Sequence, residues 1–306
     1  MNISASSVKE LRERTGAGML DCKNVLIEVN GDIEKAIDVL REKGLAKAHK
    51  KSGRIAAEGL IRVVISKDGH KAGIIEVNIE TDFASKNSEF IEFVDTLSAQ
   101  TLTTKATTTE VLLLDKYGAS SETVQERLTG FIAKIGENIA VRRFEIFSET
   151  GVVYVGYLHL GGKIGVVVGL KTDATGPEVE VLGKDIAMQV ASMNPLFIDE
   201  TEVDPDYIEK EKDILVKQAL SEGKPAEIVE KMVMGRLKKE LKETCLLEQK
   251  FVKNNELTVA QYISDSAKGL GKDVKVVSIA RYEVGEGIEK KEENFAEEVA
   301  KQMQQK

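Results

Sequence analysis

An alternation that halts constrains this chain more than any other stretch. Ile75, Val77 and Ile79 alternate with Glu76, Asn78 and Glu80, the period of a strand with one buried face and one solvated face. Thr81 ends that strand, and Asp82, Phe83, Ala84, Ser85 and Lys86 follow at once. Phe90, Phe93, Val94 and Leu97 then recur at helical spacing, which puts Asp82 and Phe83 on a short strand-to-helix connection at the sheet edge. An aromatic there either folds back as a lid on the core or projects as an anchor for a partner. The loop itself does not decide between the two.

The 306 residues carry a net charge of −8 and 42% hydrophobic side chains, which predicts two or more folded domains with sizeable cores. No run approaches the roughly 18 apolar residues of a membrane helix. The N-terminus also lacks the basic flank and apolar run of a signal peptide, so a cytoplasmic protein with no membrane contact is expected. Two cysteines far apart, Cys22 and Cys245, exclude a disulfide framework and a four-cysteine zinc site. The acidic balance argues against direct nucleic-acid binding, which needs clustered Lys and Arg. A protein partner fits better.

Three glycine-punctuated helices are expected up to about residue 45. Ser4 or Ser7 can cap the first, with capping-box spacing from Ser7 to Glu10, Val8 and Leu11 on one face, and Gly16 as its stop. Met19, Cys22, Val25, Leu26 and Val29 form the second stripe, ended by Asn30-Gly31. Ile33, Ala36, Ile37 and Leu40 form the third, with Asp32 as cap and Gly44 as its close. Cys22 falls on a buried stripe, where a small core residue is the default. The basic stretch from Lys47 to Arg54 has no apolar period and reads as a tether.

A unit of hairpin then helix follows. A strand from Glu58 through Ile65, an Asp68-Gly69 turn, the strand ending at Glu80, and a helix near Ser88 to Leu97 form it. Past a Thr-rich stretch, Val124, Leu128, Phe131, Ile132 and Ile135 mark a helix closed by Gly136, and a strand from Ile139 to Phe147 follows. The pattern then recurs: strands at 152–160 and 163–170 flank Gly161-Gly162, and Leu182, Ile186 and Val190 mark the next helix. His159, just before that turn, reads as a surface residue, since no metal-spaced histidine set accompanies it. Asp204-Pro205 and Pro225 start two helices of a hairpin. Residues 274–284 alternate as a last strand, and a charged tail helix carries a thin stripe of Phe295, Val299 and Met303.

No phosphate-cradling loop, dinucleotide fingerprint, nucleophile elbow or metal-spaced cluster occurs. That shifts weight from catalysis toward binding, with no cofactor and no metal expected. An adaptor that binds without altering its partner, and an enzyme with an unrecognised pocket, stay open at this level.

Three stretches carry a resemblance. They are Leu11-Arg12-Glu13-Arg14-Thr15-Gly16-Ala17-Gly18-Met19-Leu20-Asp21-Cys22-Lys23, then Thr81-Asp82-Phe83 after its strand, and Tyr282-Glu283-Val284-Gly285-Glu286-Gly287-Ile288-Glu289-Lys290. Lys134-Ile135-Gly136-Glu137-Asn138-Ile139 and Asp185-Ile186-Ala187-Met188-Gln189-Val190 match as well. In order and over essentially the whole chain, they resemble the elongation factor Ts family, the bacterial guanine-nucleotide exchange factors of elongation factor Tu.

The resemblance implies an α+β fold: a ubiquitin-associated-like three-helix domain (1–46), a basic linker (47–57), and a two-part α+β core with antiparallel sheets. The core parts are 58–138, then 139–200 with 245–285. A helical hairpin is inserted at 201–244, and a C-terminal helical module spans 286–306. It also implies a role for each matching residue, without covalent chemistry. Thr81, Asp82, Phe83 and Ala84 would reach the GTPase near its magnesium site, the ring wedging between helices so that magnesium and phosphate contacts are lost. Met19, Leu20 and the surface around Phe295 would grip the nucleotide-binding domain. His159 and Gly161 would touch another domain. The partner would be elongation factor Tu, GDP-bound or nucleotide-free. A homodimer, or a heterotetramer with that partner, is left open. One departure stands out: many members have Val-Ala after the Phe, where this chain has Ala84-Ser85.

Overall fold

The computed structural model describes residues 3–223 and 225–289, the side chains of Ala226 and Glu227 excepted. It is an α+β structure with antiparallel strands. Two units divide the chain: one holds the residues up to Ile61, Ile75–Phe144 and the segment from Glu283, the other Arg62–Ile74 and Glu145–Tyr282. Among the described residues no helix is long and apolar enough to cross a membrane. The tail stripe of Phe295, Val299 and Met303 lies outside the described residues.

The first unit begins with α1 (Ala5–Thr15), α2 (Met19–Glu28) and α3 (Ile33–Lys51). Ser4, not Ser7, caps α1, its hydroxyl accepting the Ser7 N–H at 3.0 Å. Gly16 closes that helix in the left-handed region, at φ 66°, which glycine adopts without a Cβ clash. Val8, Leu11, Cys22, Val25, Leu26 and Ala36 form the bundle core. Burial pushes the Cys22 thiol above its ordinary range.

Two expectations about α3 fail together. Gly44 does not end it, and Lys47 to Lys51 are its last turns, not a tether. Gly44 is buried, and a Cβ there would come within ordinary contact of Ala133 Cβ, 3.6 Å away. Gly44 therefore lies in the helix interior facing α7 (Val124–Ile135), with room for a methyl group, where the sequence suggested a stop. The basic residues sit where the helix dipole favours cations, and the Lys51 ammonium donates to the Gly136 carbonyl just beyond α7.

Strands β1 (Glu58–Ile65), β2 (Ala72–Ile79) and β3 (Ile139–Phe147) form a sheet in the order β1-β2-β3. The division between the units runs through these strands. Beyond β2 come α4 (Asp82–Ser85), α5 (Ser88–Thr101) and α6 (Thr109–Leu114), the last starting at the end of the Thr-rich stretch and capped by Thr108. Ile75, Val77 and Ile79 pack with Phe90, Phe93, Leu97, Leu112, Leu128 and Phe131.

The second face of β2 is not wet. Every residue of the strand is buried, with Glu76 at 0% and Asn78 at 2% exposure. Glu76 Oε1 accepts from Arg142 Nη1 at 3.0 Å, Asn78 Nδ2 at 3.1 Å and the Gly285 N–H at 2.8 Å, while Oε2 accepts from Arg143 Nε at 2.6 Å. A buried carboxylate persists when charge and hydrogen bonds replace its water. Gly285, at φ +73°, lies so close to the Ala57 carbonyl that no Cβ fits there.

In the second unit β4 (Val152–His159) and β5 (Ile164–Lys171) pair antiparallel from Val152 opposite Lys171 to His159 opposite Ile164. With β8 (Lys275–Glu283) they make a sheet ordered β4-β5-β8. It is covered by α8 (Pro177–Met193). The helices α9 (Pro205–Ser221) and α10 (Ala226–Thr244) form a hairpin with its own small core of Leu215, Ala219, Val229, Val233 and Leu237. The short strands β6 (Lys250–Phe251) and β7 (Asn254–Thr258) and the helix α11 (Val259–Leu270) were not expected. Gln189 and Asp185 of α8 hold them: Gln189 bonds Gln249 and the Val252 N–H, and Asp185 accepts from Tyr262 at 2.7 Å and from Lys253. Burial, then the bond to Asp185, pushes the Tyr262 hydroxyl up to about 12.

Two substitutions test these assignments by denaturant unfolding. Glu76→Ala removes the acceptor of the buried Gly285 N–H and one carboxylate partner of each of two arginines, and lowers stability by about 3 kcal/mol. Gly44→Ala, in a helix interior with room for its methyl, raises it by about 0.5–1 kcal/mol.

Candidate functional site

At the end of β2 the backbone turns sharply and locks. Thr81 is extended (φ −124°, ψ 154°) and N-caps α4, its Oγ1 accepting the Ala84 N–H at 3.2 Å. Thr81 is itself held by the carboxylate of Glu137: the Thr81 N–H donates to Oε2 at 3.0 Å and the hydroxyl to Oε1 at 2.8 Å. Ser85 is buried and its hydroxyl donates to the Asp82 carbonyl at 2.8 Å. Asn87 then caps α5 through the Glu89 N–H at 2.8 Å. Asp82 and Phe83 thus sit on a helical turn with caps on either side, where the sequence suggested an irregular connection.

That turn decides the fate of the aromatic. Ala84 packs half-buried against the core, whereas Phe83 is 83% exposed, the highest value among the described large apolar side chains. The lid is excluded. Lys86 shares the tip, its ammonium 2.7 Å from Asp82 Oδ2 and 5.8 Å from the Phe83 ring centroid. An i,i+4 ion pair in water stabilises by only about 0.2–0.5 kcal/mol, so another charge can displace it cheaply.

The other nominated residues fall elsewhere. Met19 and Leu20 occupy the first turn of α2 and are 50% and 70% exposed. Met19 therefore leaves the buried stripe assigned to it, which retains Cys22, Val25 and Leu26. In the second unit, His159 ends β4, with Nδ1 2.9 Å from the Tyr157 hydroxyl. Gly161 and Gly162 turn at φ +67° and +95°. Leu160, at φ 49° and largely exposed between His159 and Gly161, was not singled out. An apolar residue next to a Gly-Gly turn was the available signal. Phe295 lies outside the described residues. Among the described residues no group of three or more His, Cys, Asp or Glu side chains could hold a metal ion.

Phe83 is thus an exposed ring on a turn capped by Thr81, beside the Asp82 carboxylate. The sequence profile described as Elongation factor TS matches residues 80–286, beginning one residue before that turn. Over 301 residues the chain is 56% identical to Elongation factor Ts of Clostridium botulinum strain Alaska E43, covering 98% of this chain and 99% of that one. It is 55% identical over 302 residues to Elongation factor Ts of Clostridioides difficile strain 630, covering 99% of both. For Elongation factor Ts of Clostridium kluyveri the identity is 52% over 305 residues, covering 99% of this chain and all of that one. The chain belongs to the elongation factor Ts family, and is in that general sense a factor of translation elongation.

Because the Phe83 ring touches so little of its own fold, Phe83→Ala changes the unfolding free energy by less than about 0.5 kcal/mol. Thermal denaturation of the two chains checks this; a large drop in midpoint would mean the ring supports the core.

Proposed function

We propose that the chain is a guanine-nucleotide exchange factor that binds GDP-bound elongation factor Tu and promotes GDP release with Phe83 as its wedge. The observation that carries this is the exposed ring on a doubly anchored turn. An anchor that is already ordered avoids the roughly 0.5–1.5 kcal/mol that immobilising a flexible side chain on binding costs. Asp82 supplies negative charge beside the ring, where it competes with phosphate oxygens for cationic groups and metal-held water. Ala84, half-buried beneath, props the turn and leaves the contact to its neighbours.

The driving force is linkage. Factor and GDP weaken each other on the GTPase by one shared coupling free energy, so GDP leaves, and later GTP binding expels the factor. No covalent bond changes and no cofactor takes part. Each tenfold loosening needs about 1.4 kcal/mol of differential contact. Burying one Phe yields roughly 1.5–3 kcal/mol, so Phe83 acts with further contacts. Met19 and Leu20, exposed on α2, and the turn at His159 and Gly161 are suited to supply them, with the surface around Phe295.

Release of a fluorescent GDP from bacterial elongation factor Tu, with this chain at catalytic concentration, tests the proposal. Acceleration is expected, reduced roughly 10- to 150-fold in Phe83→Ala and also reduced in Asp82→Ala. Acceleration unchanged in both variants moves the site; measurable binding without acceleration makes the chain an adaptor.

A further inference from the structure

We infer that Glu137 is a positioning residue of this site, acting through Thr81 to set the orientation of the turn that bears Phe83; the inference rests on the exchange reading above. A helix of four residues cannot hold itself, because one turn fixes several dihedrals for very few hydrogen bonds. Its stability must come from outside. Glu137 provides it by accepting both donors of Thr81, the N–H at 3.0 Å and the hydroxyl at 2.8 Å.

The second bond has a further effect. A threonine hydroxyl has one hydrogen and two lone pairs. With the hydrogen committed to Glu137 Oε1, the lone pairs are left to accept, and one of them meets the Ala84 N–H at 3.2 Å. The carboxylate thus fixes which way the capping hydroxyl points, and thereby the capping bond that starts α4.

Glu137 is in turn well fixed. It occupies the connection from α7 to β3, after Gly136 at φ +87°. Its neighbour Asn138 donates its N–H to Glu80 Oε1 at 2.5 Å and its side-chain amide to the Arg54 carbonyl at 2.7 Å. Lys51 binds the Gly136 carbonyl on the other side. The two connections are therefore joined reciprocally: Glu80, before the turn, holds Asn138, while Glu137 holds Thr81. Both bonds to Thr81 lie at the exposed surface, so losing them loosens the turn without opening the core.

The test compares Glu137→Ala, Glu137→Gln and Phe83→Ala with the wild-type chain in GDP release from elongation factor Tu over a range of GTPase concentrations. Glu137→Ala is expected to lower the maximal rate about 3- to 10-fold, the value of one or two exposed hydrogen bonds, with the half-saturating concentration and the melting temperature unchanged. Glu137→Gln, which keeps one accepting oxygen in place, should recover most of that loss. Glu137→Ala should cost less in a Thr81→Val background than in the wild-type chain, because the hydroxyl bond is already gone and only the bond from the backbone N–H is left to lose. The inference is overturned if Glu137→Ala exchanges like wild type while Phe83→Ala is defective. It is equally overturned if the loss falls on the half-saturating concentration alone, or if Gln recovers nothing. A wild-type chain that accelerates nothing removes the exchange reading itself, and is told apart by that control.

Discussion

The carboxylate of Glu76 is the constraint on which the first unit depends. It sits without solvent at the middle of the central strand and gathers Arg142, Arg143, Asn78 and the Gly285 N–H. An ion removed from water must recover its solvation from fixed groups, so these partners have little freedom of position. β3, which carries both arginines, is thereby held in register against β2. The backbone at Gly285 is drawn in until it meets Ala57. Arg143 extends the same network to Glu286 at 3.0 Å. The strand that ends at Thr81 thus reaches the surface from a fully determined interior.

That determinacy is what the turn inherits. Phe83 is exposed yet not loose, since the caps at Thr81 and Asn87 and the buried Ser85 leave α4 one arrangement. Exposure of a large aromatic is unfavourable in isolation, and here the ring stands on a turn whose flanking Thr81 and Ala84 N–H groups are both bonded. An exposed ring in ordered surroundings is unlike a scattered surface hydrophobe, and that contrast is what supports the proposed role of Phe83.

Much of this was legible in the chain, and the failures have physical causes. The helical stripes, the strand ending near Thr81 and the hairpin of α9 and α10 followed from periodicity. Glu76 and Asn78 were misassigned because alternation reports only that a residue is polar. Whether water or an arginine faces it depends on Arg142, 66 positions away. Gly44 was misread for a similar reason: a glycine can close a helix or lie within one, and the helix continues through it to Lys51. The unexpected α11 did carry a signal, since Thr258 and Gln261 form a capping box. As for Phe83, no local pattern tells whether it covers the core; its exposure, with Ala84 packed on the core instead, excludes the lid.

The continuity of α3 changes what a partner meets. Nineteen helical residues make a rod of roughly 28 Å, packed on α7, with residues 52–57 leading from it to the sheet. The bundle bearing Met19 and Leu20 and the turn bearing Phe83 thus belong to one unit, joined through the packing of α3 on α7. Two contacts on one unit meet a surface together, and the second is made without a fresh search once the first is in place. Selectivity for one partner can then lie in the spacing between modest contacts, with no single contact needing to be tight.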